Sequence, residues 1–314
     1  MPEALAAAPL KLPFLTFTSE HFYAIIAVKR VKSMVDCHIH MVLSGSDWRE
    51  AIARHSVRPN EREIRSVLSR YREAGFTYLR DCGDKWGVGR LSREIAPEYG
   101  IRYRTPYAPL SKRGHYGAFI GLQFETMQEF AALVHKQRSA GADFTKLMIS
   151  GLMDFDCFGR LTEEGLPSSE ISEMVHIAHE EGTAVSAHAN GSRAVLAAAE
   201  AGVDSVEHGA YLNEEALHAM VENGTVWVPT LSTIGNLAGT GRFEESQTRK
   251  IYESALQNTE AFAKLGGLLA PGSDAGAFAV PHGGTREYEH LKKALGGNYE
   301  SILAPGIDRL TERF

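Results

Sequence analysis

The sequence predicts an α/β fold, a (β/α)8 barrel of the TIM type, on three observations. From Val35 onward, apolar runs of strand length alternate with segments of helical period, the pattern of repeated βα units. Eight such runs occur, at 35–39, 76–80, 101–107, 144–149, 183–187, 203–207, 225–228 and 268–272. Together they span roughly 250 residues, the usual extent of such a barrel. A doubly wound open sheet would more typically use five to seven strands and a phosphate-binding glycine loop. Neither Gly-x-Gly-x-x-Gly nor a P-loop is present.

The elements follow in order. Residues 1–33 read as an N-terminal extension outside the repeat, with an Ala/Pro/Leu-rich start, an apolar run at 22–28 and the basic Lys29-Arg30-Val31-Lys32. It either adds a strand or plugs the barrel's underside, or it is an upstream extension, since Met34 itself makes a plausible first residue. Residues 34–314 are read as the barrel. Asn60 caps a helix with Glu63 at its third position and Ile64, Val67, Leu68 and Tyr71 on one stripe, and Gly75 ends it. Thr126 and Glu129 repeat the arrangement before Phe130, Leu133 and Val134, closed by Gly141. Ser168 or Ser169 opens the next helix, with Ile171, Met174, Val175 and Ala178 inward and Gly182 at its end. Two more helices stop at Gly202 and at Asn223-Gly224.

Composition narrows the function. A formal charge of −6 without a Lys/Arg run gives no reason to expect nucleic acid or an anionic membrane as partner, which leaves a small-molecule substrate. Cys37, Cys82 and Cys157 are widely spaced and read as reduced thiols. No apolar run approaches the eighteen or so residues of a membrane span. No secretory leader is recognisable, and the expected location is the cytoplasm. A homo-oligomer is compatible with all of this.

In such barrels the chemistry sits where strands give way to loops at their carboxyl ends. The first strand runs Met34-Val35-Asp36-Cys37-His38-Ile39-His40, and side chains two apart on a strand share a face, so His38 and His40 project together. The fourth carries Lys146 in an otherwise apolar run. The fifth ends Ser186-Ala187-His188, the sixth Glu207-His208-Gly209, and the eighth Gly272-Ser273-Asp274-Ala275. Each residue has an ordinary reading, as a packed histidine or as the cap of the next helix. Four histidines and a carboxylate converging on one rim point instead to a metal. A lysine in a packed strand needs a partner or must lose its charge. A neutral amine takes up carbon dioxide to give a carbamate, a two-oxygen anion able to bridge two cations. The alternative is an ion pair with Asp81 or Asp274.

These motifs, with Gly141-Ala142-Asp143-Phe144-Thr145-Lys146 and Gly202-Val203-Asp204-Ser205-Val206-Glu207-His208-Gly209, resemble the amidohydrolase superfamily of metal-dependent hydrolases. The likeness covers roughly 34–295 and looks closest to the imidazolonepropionase-like and prolidase-like (dipeptidase) branch. It implies a binuclear centre, usually zinc. His38, His40 and Asp274 would hold one divalent ion and His188 and His208 the other, with a hydroxide and carboxylated Lys146 bridging them. Two departures stand out. The segments outside the barrel look too short for the flanking β-sandwich of many relatives, and Asn190 stands where many have a second histidine.

Two cations acidify a bridging water and polarise a carbonyl, which suits hydrolysis of an amide, lactam or similar C–N bond. The expected substrate is an N-acyl amino acid, a dipeptide or a cyclic amide. Asp274 is placed to act as general acid and base. Candidate substrate contacts are His115 and Tyr116 in Arg113-Gly114-His115-Tyr116-Gly117, with Asn190 and Tyr211. A long loop bearing Asp154, Asp156 and Arg160 is a candidate lid. His55, His135, His176, His179, His218 and His290 read as surface or packing residues. The competing readings are a mononuclear deaminase or decarboxylase and a non-catalytic metal-binding barrel.

Overall fold

The computed structural model describes residues 33–314. The reading of the N-terminal extension rests on residues outside these. Residues 34–314 form one compact unit.

The strands are β1 (Met34–Ile39), β2 (Phe76–Asp81), β3 (Arg102–Arg104), β4 (Leu110–Lys112), β5 (Leu122–Phe124), β6 (Thr145–Met148), β7 (Val185–Ala189), β8 (Ser205–His208) and β9 (Val226–Val228). The helices are α1 (Trp48–Ala53), α2 (Glu61–Glu73), α3 (Val88–Ile95), α4 (Met127–Ser139), α5 (Ser168–Glu180), α6 (Ser192–Glu200), α7 (Glu214–Glu222), α8 (Ser232–Gly235), α9 (Glu245–Lys264), α10 (Arg286–Leu295) and α11 (Tyr299–Arg313). Caps form where side chains satisfy the free N–H groups of a first turn. Asn60 Oδ1 accepts from Glu63 N at 3.3 Å, and Thr126 Oγ1 from Glu129 N at 3.2 Å. α5 opens at Ser168, as expected, with Pro167 at the capping position and no side-chain cap.

All strand pairs are parallel, in the orders β1-β2-β3 and β5-β4-β6-β7-β8-β9. Two seams close them into a ring of eight. The expected third strand, 101–107, is split. Pro106 and Pro109 lack the N–H of a ladder and Tyr107 turns left-handed (φ 68°), so β3 pairs with β2 while β4 resumes the strand beside β6. Asp143 N donates to Thr105 O at 3.0 Å across this break. β5, a three-residue strand on the outer side of β4, was not anticipated. The eighth strand is irregular around Pro271 and Gly272. It nevertheless bonds both neighbours, through Trp227 N to Leu268 O (2.8 Å) on one side and Cys37 N to Pro271 O (2.9 Å) and His40 N to Ala275 O (2.7 Å) on the other.

The helix stripes pack outside the ring, Ile64, Val67, Leu68 and Tyr71 of α2 against β1 and β2, and Ile171, Met174, Val175 and Ala178 of α5 against β6 and β7. The amino end of the barrel is closed by Leu310 and Phe314, which pack among Val35, Cys37, Tyr78, Phe144 and Val226. The opposite end carries the polar side chains. Among the described residues there is no flanking β-sandwich, and no helix is long and apolar enough to cross a membrane.

Candidate metal centre

β1 places His38 and His40 on one face, as strand alternation requires. Asp274 meets both, its Oδ1 lying 3.5 Å from His38 Nε2 and 3.2 Å from His40 Nε2. The eighth strand delivers this carboxylate through a backbone bond, Asp274 N to His38 O at 2.7 Å. The rings of His188 and His208, at the ends of β7 and β8, lie 4.6 Å apart, and His208 is 4.8 Å from His38. His208 and Asp274 both adopt left-handed backbone (φ 70° and 59°), which costs a side-chain-bearing residue roughly 1–2 kcal/mol. Strain of this kind persists where surrounding structure fixes a functional group.

Lys146 is buried in the floor of the same cavity, with Nζ 3.5 Å from Ser186 Oγ. Among the described residues it forms no ion pair. Asp81, one expected partner, instead accepts from Met41 N at 3.0 Å and Thr105 Oγ1 at 3.2 Å, and Asp274 faces the histidines.

The donor set fits divalent metal. Burial pushes the His38 imidazolium down to about 4 and that of His188 to about 3, and holds His208 well below the ordinary histidine range. The rings are therefore neutral, with lone pairs to offer. His38 donates from Nδ1 to Glu207 Oε2 at 2.7 Å, which leaves Nε2 as the free acceptor. That Nε2, His40 Nδ1 and Asp274 Oδ1 are buried without a hydrogen-bond partner. Such atoms are costly to bury unless something binds them. His38, His208 and Asp274 bring one donor atom each within 4.8 Å of one another. Cys82, read from the sequence only as a reduced thiol, forms a second such group with His38 and His40.

Sequence reasoning passed over the layer beneath. Glu207 is fully buried and accepts from Arg80 Nη2 (2.7 Å), Ser186 Oγ (2.8 Å) and Ser205 Oγ (2.7 Å) besides His38. The signal was present, because a glutamate and an arginine in apolar strands are as anomalous as Lys146.

Above this floor opens a cavity of about 560 Å³. Tyr116 and Asn190 line it, the Tyr116 ring 5.0 Å from that of His188. Asn190 is also committed to the frame, donating to Gly151 O at 3.0 Å and accepting from Ala210 N at 3.1 Å. His115 and Tyr211 are not among the lining residues. His115 is drawn aside to Glu163, whose other oxygen accepts from Tyr116 N, and Tyr211 packs against Phe158. Asp154 and Asp156 line the cavity from the loop after β6, and Arg160 pairs with Asp154 at 3.4 Å. Of the histidines set aside, His55 Nδ1 accepts from Asn60 N, and His290 contacts Tyr252 Oη at 2.6 Å.

Comparison with known proteins extends these observations. An uncharacterized protein of Mycobacterium tuberculosis is 26% identical over 300 residues, covering 88% of this chain and 75% of that one. An ochratoxinase of Aspergillus niger is 29% identical over 241 residues, covering 70% of this chain and 48% of that one. In fold, the crystal structure of a Xaa-Pro dipeptidase with bound methionine superposes with a TM-score of 0.72 at 21% identity, covering 89% of this chain and 75% of that chain. The amidohydrolase family profile matches residues 33–280, the stretch that contains every residue of the candidate metal rim. With that match and this rim, the chain belongs to the amidohydrolase family and is a hydrolase of carbon–nitrogen bonds.

Proposed function

We propose that the chain hydrolyses an amide bond of a small molecule, an N-acyl amino acid, dipeptide or cyclic amide, at a centre for two divalent cations, zinc in the first instance. The observation that carries this reading is the cluster of unpartnered donor atoms of His38, His40 and Asp274 on a cavity floor shared with His188, His208 and Lys146. His38, His40 and Asp274 would hold one cation and His188 and His208 the other, with carboxylated Lys146 between them.

When bound, the two cations lower the pKa of a water between them and polarise the scissile carbonyl. The chain's own residues do the rest. Burial opposes ionisation of Asp274, but His38, His40 and His208 together hold its carboxyl well below the usual carboxylate range. It is thus available as the base that receives the water's proton and passes it to the leaving nitrogen. Tyr116, half-buried beside His188, presents a hydroxyl kept protonated by burial, suited to donate to the carbonyl oxygen as charge develops. Asn190 steadies the loop after β6 against β8 and so fixes the wall beside His188.

The test is metal content per chain on protein purified without chelator, with intact mass to detect the labile carbamate. Two metals per chain, falling in Lys146→Ala with activity recovered by a short carboxylic acid, is the expected result. One metal unaffected by that substitution would overturn the bridge and favour the mononuclear alternative.

A further inference from the structure

Among the described residues other than glycine, few adopt left-handed backbone. Two that do, His208 and Asp274, stand in the candidate metal rim. A third, Thr230 (φ 49°), lies just beyond β9 and is fully buried. A β-branched residue in that region is an outlier, because its Cβ substituents crowd the backbone. Strain of this kind persists only where the surroundings over-determine it. Here they do so from both sides. Thr230 O accepts from Thr233 N at 3.1 Å and from Thr233 Oγ1 at 2.8 Å. The next two amides are gripped by one buried carboxylate of α10, Leu231 N donating to Glu287 Oε1 at 3.0 Å and Ser232 N to Glu287 Oε2 at 2.7 Å.

The hydroxyl that this backbone presents does not serve the short helix that follows, because α8 has no side-chain cap. It lies instead 2.8 Å from His208 Nδ1. The main chain of His208 is anchored from the same strand, Trp227 Nε1 donating to His208 O at 3.0 Å. β9 and the residues just after it therefore fix both the backbone and the ring of this histidine. In a neutral imidazole one nitrogen carries the hydrogen and the other the lone pair. A hydroxyl oxygen that accepts from Nδ1 leaves the lone pair on Nε2. The contact thus sets which nitrogen can meet a cation.

Resting on the metal-centre reading above, we propose that Thr230 is the positioning residue for His208. Its hydroxyl oxygen accepts from Nδ1–H, selects the tautomer with the lone pair on Nε2, and leaves that nitrogen to the cation assigned to His188 and His208. Glu287 holds the strained backbone that delivers the hydroxyl. Thr230 acts through His208 alone, from the segment after β9, as Glu207 acts through His38 from β8.

The experiment has two readouts on the full chain. In metal-free protein, nitrogen-edited NMR of the imidazole rings should show His208 as the Nδ1–H tautomer in the native chain and in Thr230→Ser. It should show a shift towards Nε2–H in Thr230→Val, which keeps the β-branched shape but not the oxygen. Competitive zinc titration should then find one of two bound ions held roughly 10–100-fold more weakly in Thr230→Val, with the other unchanged and Thr230→Ser like the native chain. An Nε2–H tautomer in the native chain overturns the proposal without any variant. So does a Thr230→Val chain in which both ions weaken together with the melting temperature, as a purely structural role requires. The outcomes also separate the proposal from the reading beneath it. Tautomer control by Thr230 in a native chain that takes up no zinc supports the positioning contact and overturns the metal centre. Two ions bound with affinities indifferent to Thr230→Val retain the metal centre and overturn the proposal.

Discussion

Glu207 supports His38 from behind, with Oε2 2.7 Å from His38 Nδ1 while its Oε1 lies 2.7 Å from Arg80 Nη2, all three side chains being fully buried. The glutamate selects the histidine tautomer that turns Nε2 towards Asp274, and Arg80 compensates its charge in the barrel interior. Such partners behind a metal-binding histidine typically contribute about 10–100-fold in metal affinity. Glu207→Gln also leaves Arg80 buried without its counter-charge, a loss of roughly 3–5 kcal/mol. Urea unfolding and competitive zinc titration should both report the loss. A variant with native stability and affinity would show that Glu207 only fills space.

On the proposed mechanism, Asp274 is the side chain whose removal separates chemistry from assembly. Asp274→Asn keeps an oxygen toward His38 and His40 but can no longer take a proton. Turnover should fall by about 10²–10⁴, the usual worth of a positioned general base. Most bound metal should remain, as measured by elemental analysis of the same sample. Retained turnover would remove Asp274 from proton transfer. Loss of all metal would make it purely a ligand.

Much of this was legible because the chemistry lies at strand ends, where a period-2 pattern and a charged residue in an apolar run are both visible. His38, His40, His188, His208 and Asp274 were found that way, and the structure brings them together. What escaped depended on three-dimensional closure. Glu207 and Arg80 meet across the ring, 127 positions apart in sequence. Cys82 gains its place beside His38 and His40 only when β2 pairs with β1. Loops were the least readable. His115 and Tyr116 are adjacent in sequence, yet a single carboxylate, Glu163, holds the first away from the cavity while the second lines it.

Gly272 shows why the eighth strand has its sequence. A Cβ there would collide with Val228 Cγ1 and stand 2.8 Å from His38 Cβ and 2.9 Å from His38 N. Gly272→Ala must therefore move β1 or β9. We expect a loss of about 1–3 kcal/mol, the range for overpacking a filled site. Because the displaced atoms belong to His38, metal affinity should weaken with stability. Thermal melts with and without added zinc test this. A variant that melts like the native chain in both conditions would show that the seam has room.

His282 supplies a pH dependence away from the metal rim. It bridges α2 to the loop after β1, with Tyr71 Oη 3.1 Å from Nδ1 and Leu43 O 2.9 Å from Nε2. Neutral imidazole satisfies both, accepting from the tyrosine and donating to the carbonyl. Burial lowers its pKa from 6.5 to about 4. On acidification the unfolded chain therefore takes up a proton before the folded one does. The stabilisation is complete above about pH 6.5 and is lost as pH falls through 4, about 3 kcal/mol in all. His282→Gln, uncharged throughout, should lose less stability than the native chain between about pH 7 and pH 4.5 in urea unfolding. The difference of differences isolates this group from the carboxylates that titrate alongside it. Parallel losses in the two proteins would mean that His282 titrates in the fold as it does in the unfolded chain.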